Sequence, residues 1–141
     1  MKKQYSSKWK GSRQVRKQRK YRANAPLNER RKMISSTLSD ELRKKYQKRS
    51  FPLRKGDSVE IMRGEYAKKT GKINSIKLDK MKVTIENVQE TKKDGTKRDI
   101  SFDPSNLRIK ELNLDDKKRK EAIERKFQNK DKSEKTTEVK K

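Results

Sequence analysis

The 141-residue chain contains no cysteine and no histidine. Without thiols there is neither a disulfide framework nor a thiolate metal site, and without imidazole the commonest general base and a frequent metal ligand are missing. The 20 carboxylates are scattered among cations rather than set apart from them, so no metal centre, no cofactor and no acid–base pair is expected. The chain does not read as an enzyme. Apolar residues are scarce: 26% of the chain is hydrophobic, against roughly 45–50% in globular domains, which leaves room for one small domain with tails rather than a core running through every segment. No stretch approaches the roughly 18–20 apolar residues that span a bilayer, and the first residues hold no apolar run of the signal-peptide kind. The expected location is inside the cell, with no membrane span.

What the sequence has in excess is positive charge: 44 Lys and Arg against 20 Asp and Glu, a net of +24. Such a chain repels itself unless a polyanion neutralises it. The excess is uneven. Residues 1–54 hold 19 basic and 3 acidic residues, residues 55–114 hold 14 and 10, and residues 115–141 hold 11 and 7. Two thirds of the net charge therefore precedes the ordinary middle of the chain.

Residues 1–22 contain ten cations and no anion, with three aromatic rings interleaved. Self-repulsion predicts an extended arm when free, and RNA can order it, with Arg13, Arg16, Lys17, Arg19, Lys20 and Arg22 on phosphates and Tyr5, Trp9 and Tyr21 as candidates for stacking on bases or sugars. The alternatives are a solvated tail, or rings that pack on neighbouring protein. Residues 23–52 predict short basic helices. Pro26 suits a first helical position, with Leu27, Arg31 and Ile34 on one side of the helix that follows. Ser39 is a good N-cap for a second helix over about 39–48, where Asp40 and Glu41 complement the dipole and Leu42 and Tyr46 form an i, i+4 pair. Arg30, Arg31, Lys32, Arg43, Lys45 and Arg49 are the candidate phosphate contacts here.

From residue 53 the pattern changes to alternation. Val59 and Ile61, and then Met81, Val83 and Ile85, repeat with a period of two. Gly64, Gly71 and the pair Asp94–Gly95 predict turns, the last as the tip of a hairpin, and Leu107 and Ile109 predict a closing strand. Four or five short strands in residues 53–114 predict a mainly β fold, a small SH3-like barrel, because closure removes exposed edges. After it, Asp115 and Asp116 can begin a helix that carries Ile123 and Phe127, and residues 128–141 read as a solvated tail.

The stretch LRKGDSVEIMRGEYAKKTGKINSI, residues 53–76, resembles the KOW motif: Lys55, Gly56, Asp57, Val59, Ile61, Gly64, Gly71, Lys72 and Ile73 carry the likeness. Its glycines Gly56, Gly64 and Gly71 permit positive backbone angles and close approach to RNA, and Arg54, Lys55, Arg63, Lys68, Lys69 and Lys72 are candidate phosphate contacts around its loop. The flank at residues 16–57 is more specific. Asn24, Ala25, Pro26, Leu27, Arg30, Arg31, Lys32, Leu38, Ser39, Glu41, Leu42, Arg43, Lys45, Tyr46, Arg49, Ser50 and Pro52 are similar, in order and spacing, to the large-subunit ribosomal protein family numbered twenty-four in bacteria and twenty-six in eukaryotes, in its archaeal and eukaryotic branch. The likeness covers roughly residues 13–127. It implies a structural constituent of the large ribosomal subunit that binds ribosomal RNA early in assembly, ends near the exit of the peptide tunnel, and meets neighbouring large-subunit ribosomal proteins in the cytoplasm, with a nucleolar stage if the ribosome is eukaryotic. The segment DDKKRKEAIERK resembles the eukaryotic extension more than the archaeal ending.

Ala67 and Lys68 stand where that family usually reads Lys and Gly. A Lys held at a glycine's left-handed angle costs about 1 kcal/mol or more, so either the loop turns differently, which is the expectation, or the strain is tolerated because the cation finds phosphate. The rival reading is a KOW-type transcription-associated nucleic-acid-binding protein, which usually couples the motif to a further domain. A peptide reader of SH3 type needs an aromatic groove, and residues 55–114 offer only Tyr66 and Phe102.

Overall fold

The computed structural model describes residues 5, 6, 8 and 11–125. Trp9, Phe127 and the tail expected over 128–141 lie outside the described residues. The fold is mainly β, a seven-stranded sheet in the order β2-β1-β7-β3-β4-β5-β6. Its strands are β1 (Ser35–Leu38), β2 (Ser50–Pro52), β3 (Ser58–Ile61), β4 (Thr70–Lys77), β5 (Lys82–Thr91), β6 (Lys97–Phe102) and β7 (Leu107–Glu111).

Five of these, β3 to β7, make a barrel-like unit. Strands β3 to β6 pair antiparallel in succession, and a 3-10 turn at Pro104–Asn106 carries the chain from β6 to β7, which pairs back with β3. The alternating residues named in the sequence fill its interior: Val59, Ile61, Ile73, Val83, Ile85, Leu107 and Ile109 are all buried. Full burial of one such side chain is worth about 1.5–3 kcal/mol. Met81 does not continue the alternation: it takes a left-handed angle, φ 52, in the turn between β4 and β5. The predicted Asp94–Gly95 tip is present, with Gly95 at φ 79 and the Lys92 carbonyl accepting from its N–H.

The helices are α1 (Val15–Asn24), α2 (Leu27–Met33) and α3 (Asp40–Tyr46), with a fourth, α4, over 117–125. The expected extended arm is thus partly helical. Arg, Lys, Gln and Ala have high intrinsic helix propensity, and this outweighs repulsion between cations one turn apart. No residue of α1 is buried, so packing contributes little to it. Pro26 sits one place outside α2 rather than at its first position, its carbonyl accepting from the N–H groups of Glu29 and Arg30. Leu27 is 64% exposed and does not join buried Ile34. Ser39 caps α3 as expected, its side chain accepting from the Leu42 N–H.

β1 and β2 come from a stretch expected to hold only short helices. β1 lies parallel to β7 and antiparallel to β2, so this segment extends the barrel's sheet. Its inward side carries Ser36 and Leu38, and the Ser36 hydroxyl donates to the Pro104 carbonyl at 2.5 Å. Phe51 on β2 and Ile123 on α4 are buried in the same core.

Candidate nucleic-acid interface

The sequence-predicted cations fall into three groups. On and before α1, Arg13, Arg16, Lys17, Arg19, Lys20 and Arg22 are all exposed. Helical spacing spreads them round the axis at about 100° per residue rather than along one edge. The helix is tied down at both ends of its reach. Gln18 Nε2 donates to the Ser12 carbonyl at 2.6 Å, and Tyr5 packs on Tyr21 with ring centroids 5.0 Å apart and hydroxyls 2.7 Å apart. The two tyrosines named as stacking candidates thus stack on each other. The Tyr21 hydrogen bond, with desolvation, pushes the Tyr5 phenol up to about 12.

The second group lies between residues 30 and 54. Arg31, Lys32, Lys45 and Arg49 are exposed, Lys32 with Glu29 at 2.9 Å. Three of their neighbours are less exposed and already engaged. Arg30 donates to the carbonyls of Ala23 and Ala25 and pairs with Asp79 at 3.1 Å, fixing the α1–α2 corner against the β4–β5 turn. Arg43 pairs with Asp40 at 3.3 Å, and Arg54 with Asp116 at 2.5 Å. The hydrogen bond from Arg54 holds the Asp116 carboxyl below the usual carboxylate range. Arg31 has no side-chain partner among the described residues.

The third group belongs to the KOW segment, and its residues do not all surround one loop. Arg63, Lys68 and Lys69 are exposed in the connection between β3 and β4, with the Lys69 ammonium 4.9 Å from the centre of the Tyr66 ring. Lys72 instead pairs with Ser58 at the far end of β3. Three residues of strand, roughly 10 Å, separate the two ends.

The glycines also divide by role. Gly56 and Gly64 have φ of 87 and 93 and sit in turns. Gly71, expected in a turn, is a strand residue paired with Val59, and a Cβ there would stand 2.7 Å from Ile85 Cγ2 and 3.0 Å from the Glu86 carbonyl. It permits close strand packing rather than approach to RNA. Lys68 corrects a further expectation. It adopts the left-handed angle itself, φ 68, and its N–H donates to the Ile61 carbonyl at 2.7 Å. The loop makes a left-handed turn at this position, and Lys68 bears the strain.

Sequence reasoning missed the group that holds the site's scaffold together. Asp57 is fully buried and accepts from both terminal nitrogens of Arg119 at 2.7 and 2.6 Å, and from the N–H groups of Arg54 and Asn113 at 2.8 and 3.0 Å. Arg119 also donates to the carbonyls of Asn113 and Pro52. A buried carboxylate calls for a cation, but nothing local shows that it comes from a helix 62 residues away. One face has the opposite electrostatics: Asp40, Glu41, Glu60 and Glu111 line a cleft of about 430 Å³ with Arg108 and Lys110. Carboxylates there repel phosphate.

Comparison with known proteins adds what geometry does not carry. A family described as the eukaryotic ribosomal proteins L26 and their archaeal counterparts numbered twenty-four matches residues 12–126. The chain belongs to this family. Relatives named large ribosomal subunit protein uL24 include that of Methanosphaera stadtmanae, 44% identical over 115 residues, which are 82% of this chain and 98% of that one. That of Methanothrix thermoacetophila is 43% identical over 114 residues, 81% of this chain and 98% of its own. That of Korarchaeum cryptofilum is 41% identical over 110 residues, 78% and 84% of the two chains. All three are archaeal. The uL24 family is structural and non-enzymatic.

Proposed function

We propose that this protein is a structural constituent of the large ribosomal subunit, working in the cytoplasm, that binds ribosomal RNA chiefly through backbone phosphates. It joins the subunit early in assembly and ends near the peptide-tunnel exit among neighbouring large-subunit ribosomal proteins. Residues 1–22 act as a basic arm, residues 23–52 dock it, and the barrel at 53–114 supplies the rigid face. The observation that carries this reading is membership of the uL24 family over residues 12–126. The disposition of charge supports it, since 15 of the 18 candidate cations are exposed where phosphates can reach them.

Recognition is of backbone and shape, because the deep major groove of A-form RNA excludes side chains and scattered lysines and arginines find phosphate first. With about ten phosphates neutralised, log affinity falls against log salt with a slope near 7, using about 0.7 per contact. Sucrose-gradient sedimentation of a lysate tests the assignment. Co-migration with free large subunits, their precursors and whole ribosomes is expected, and migration with polymerase or chromatin overturns it. A flat salt response of the purified chain on ribosomal RNA overturns the phosphate account.

A further inference from the structure

One recess on the barrel's flank differs from the acidic cleft in both walls and rim. It holds about 200 Å³ between the carboxyl-terminal end of α2, the link from β2 to β3, and the end of β4. Its walls are apolar, including Leu53, Ile76 and Leu78, while its rim is Arg31, Arg54 and Lys55. No carboxylate among the described residues lines it. Arg54 is fixed by Asp116, and Arg31 is exposed with no side-chain partner among the described residues. Arg31 and Arg54 also border a second apolar recess of about 210 Å³ formed with Phe51, Pro52 and Ala122, so their side chains stand as a shared partition.

We propose that this recess takes a single unstacked nucleobase of the ribosomal RNA. The base lies against Leu53, Ile76 and Leu78, its face stacks on the Arg31 guanidinium, and the adjoining phosphates rest on Arg31 and Lys55. The proposal rests on the RNA-binding reading above and sharpens it, because it adds a base contact to what is otherwise a backbone-reading protein. The size argues for one planar ring. Pockets for drug-sized ligands run to about 300–1,000 Å³, and this one is smaller. Charge argues for a nucleotide over a protein side chain, since an inserted Leu gains nothing from the cations at its rim and a Phe only a cation–π contact, whereas a base brings its own phosphates to Arg31 and Lys55, unpaired among the described residues. Bases freed from the stack are the part of RNA that proteins read, stacked on aromatic rings or guanidinium planes, and here Arg31 supplies the plane.

The test uses the full chain carrying a benzophenone amino acid at position 55, an exposed position on the edge of the recess that leaves its interior open, assembled into large subunits in cells. After irradiation, reverse transcription of the ribosomal RNA is expected to stop at one nucleotide in an unpaired segment. A crosslink to a neighbouring protein instead, or none in subunits that contain the chain, overturns the base pocket while leaving the ribosomal assignment standing. Absence of the wild-type chain from subunits overturns the assignment itself. In parallel, purified wild-type, Leu78→Trp and Arg31→Ala chains are bound to large-subunit ribosomal RNA, with 2′-hydroxyl acylation, which reports on all four nucleotides, read at each position. Leu78→Trp fills the recess without changing charge, so the protected nucleotide becomes reactive and affinity falls by about tenfold at an unchanged salt slope. Arg31→Ala, at an exposed position outside the core, exposes the same nucleotide and keeps the test available if the Trp variant fails to fold. Unaltered reactivity in a folded variant refutes the proposal.

Discussion

Asp57 is the residue on which most of the local order depends, because it satisfies two backbone N–H groups and the guanidinium of Arg119 at once. A buried pair of this kind is strongly destabilised when one member is removed, since the other remains desolvated and unpaired. Arg119→Ala is therefore expected to lose about 3–5 kcal/mol in urea unfolding. A loss under about 1 kcal/mol would mean that α4 is not held by this pair. Lys68 behaves oppositely. Its left-handed backbone, φ 68, is one that glycine adopts without penalty, so Lys68→Gly is expected to raise stability by up to about 1 kcal/mol while removing one cation from the loop. Urea unfolding against binding to ribosomal RNA separates the two effects: the variant should be more stable and bind more weakly. The tyrosine pair gives a spectroscopic mark. Absorbance titration of the phenols should contain one group near 12, which is Tyr5 bonded to Tyr21, and Tyr21→Phe should return it towards the ordinary value of about 10. Because the folded value is raised, the stabilisation is full below about 10 and disappears as pH rises through about 12.

At the scale of elements, α4 is a strap across the barrel's base. Ile123 enters the core, Arg119 grips Asp57, and Asp116 at its start bonds Arg54. The Asp116 carboxyl is depressed first of all by the Arg54 hydrogen bond and then by the Lys118 N–H. A group depressed in the folded state contributes fully above its unfolded pKa, about 3.9, and loses that contribution as pH falls through the lower folded value. Carboxyl carbon NMR should therefore show Asp116 titrating below about 3.9, and Arg54→Ala should move it upward. No upward movement would mean that the pair is not formed in solution. α1 stands apart from this network. Intrinsic propensity, the Tyr5–Tyr21 contact, the Gln18 bond to the Ser12 carbonyl and the Arg30 bond to the Ala23 carbonyl hold it, and a ten-residue helix without buried residues is marginal in water. It can bend to the surface it meets.

For the molecule as a whole, charge and packing are segregated. The barrel and its two added strands bury the apolar residues, while α1 and the exposed ends of the KOW hairpin carry cations with few anions near them. Replacing Arg16, Lys17, Arg19 and Lys20 together with Ala should leave the barrel's thermal unfolding unchanged and reduce incorporation into large subunits several-fold. The salt slope on ribosomal RNA should fall by about 3, at about 0.7 per lost contact. Normal incorporation and an unchanged slope would show that these four cations meet solvent rather than RNA.

The β pattern of residues 58–61 and 82–85, the hairpin tip at Asp94–Gly95, the closing strand and the α3 cap were all legible in the sequence, because each depends on neighbours a few residues apart. So was the family, whose signature lies in the linear order of residues 16–57. The strands Ser35–Leu38 and Ser50–Pro52 were not, since short segments rich in serine become strands only when β7 offers its edge. The role of Gly71 depended on Ile85 across the sheet, and the partition of the KOW cations depended on strand register. Composition and local pattern alone determined that this is a strongly basic chain with one small β core. The tertiary structure alone decided which charges remain free, since pairing Arg30 with Asp79, Arg54 with Asp116 and Arg119 with Asp57 brings together residues 49 to 62 positions apart, and electrostatic pairing follows distance in space rather than along the chain.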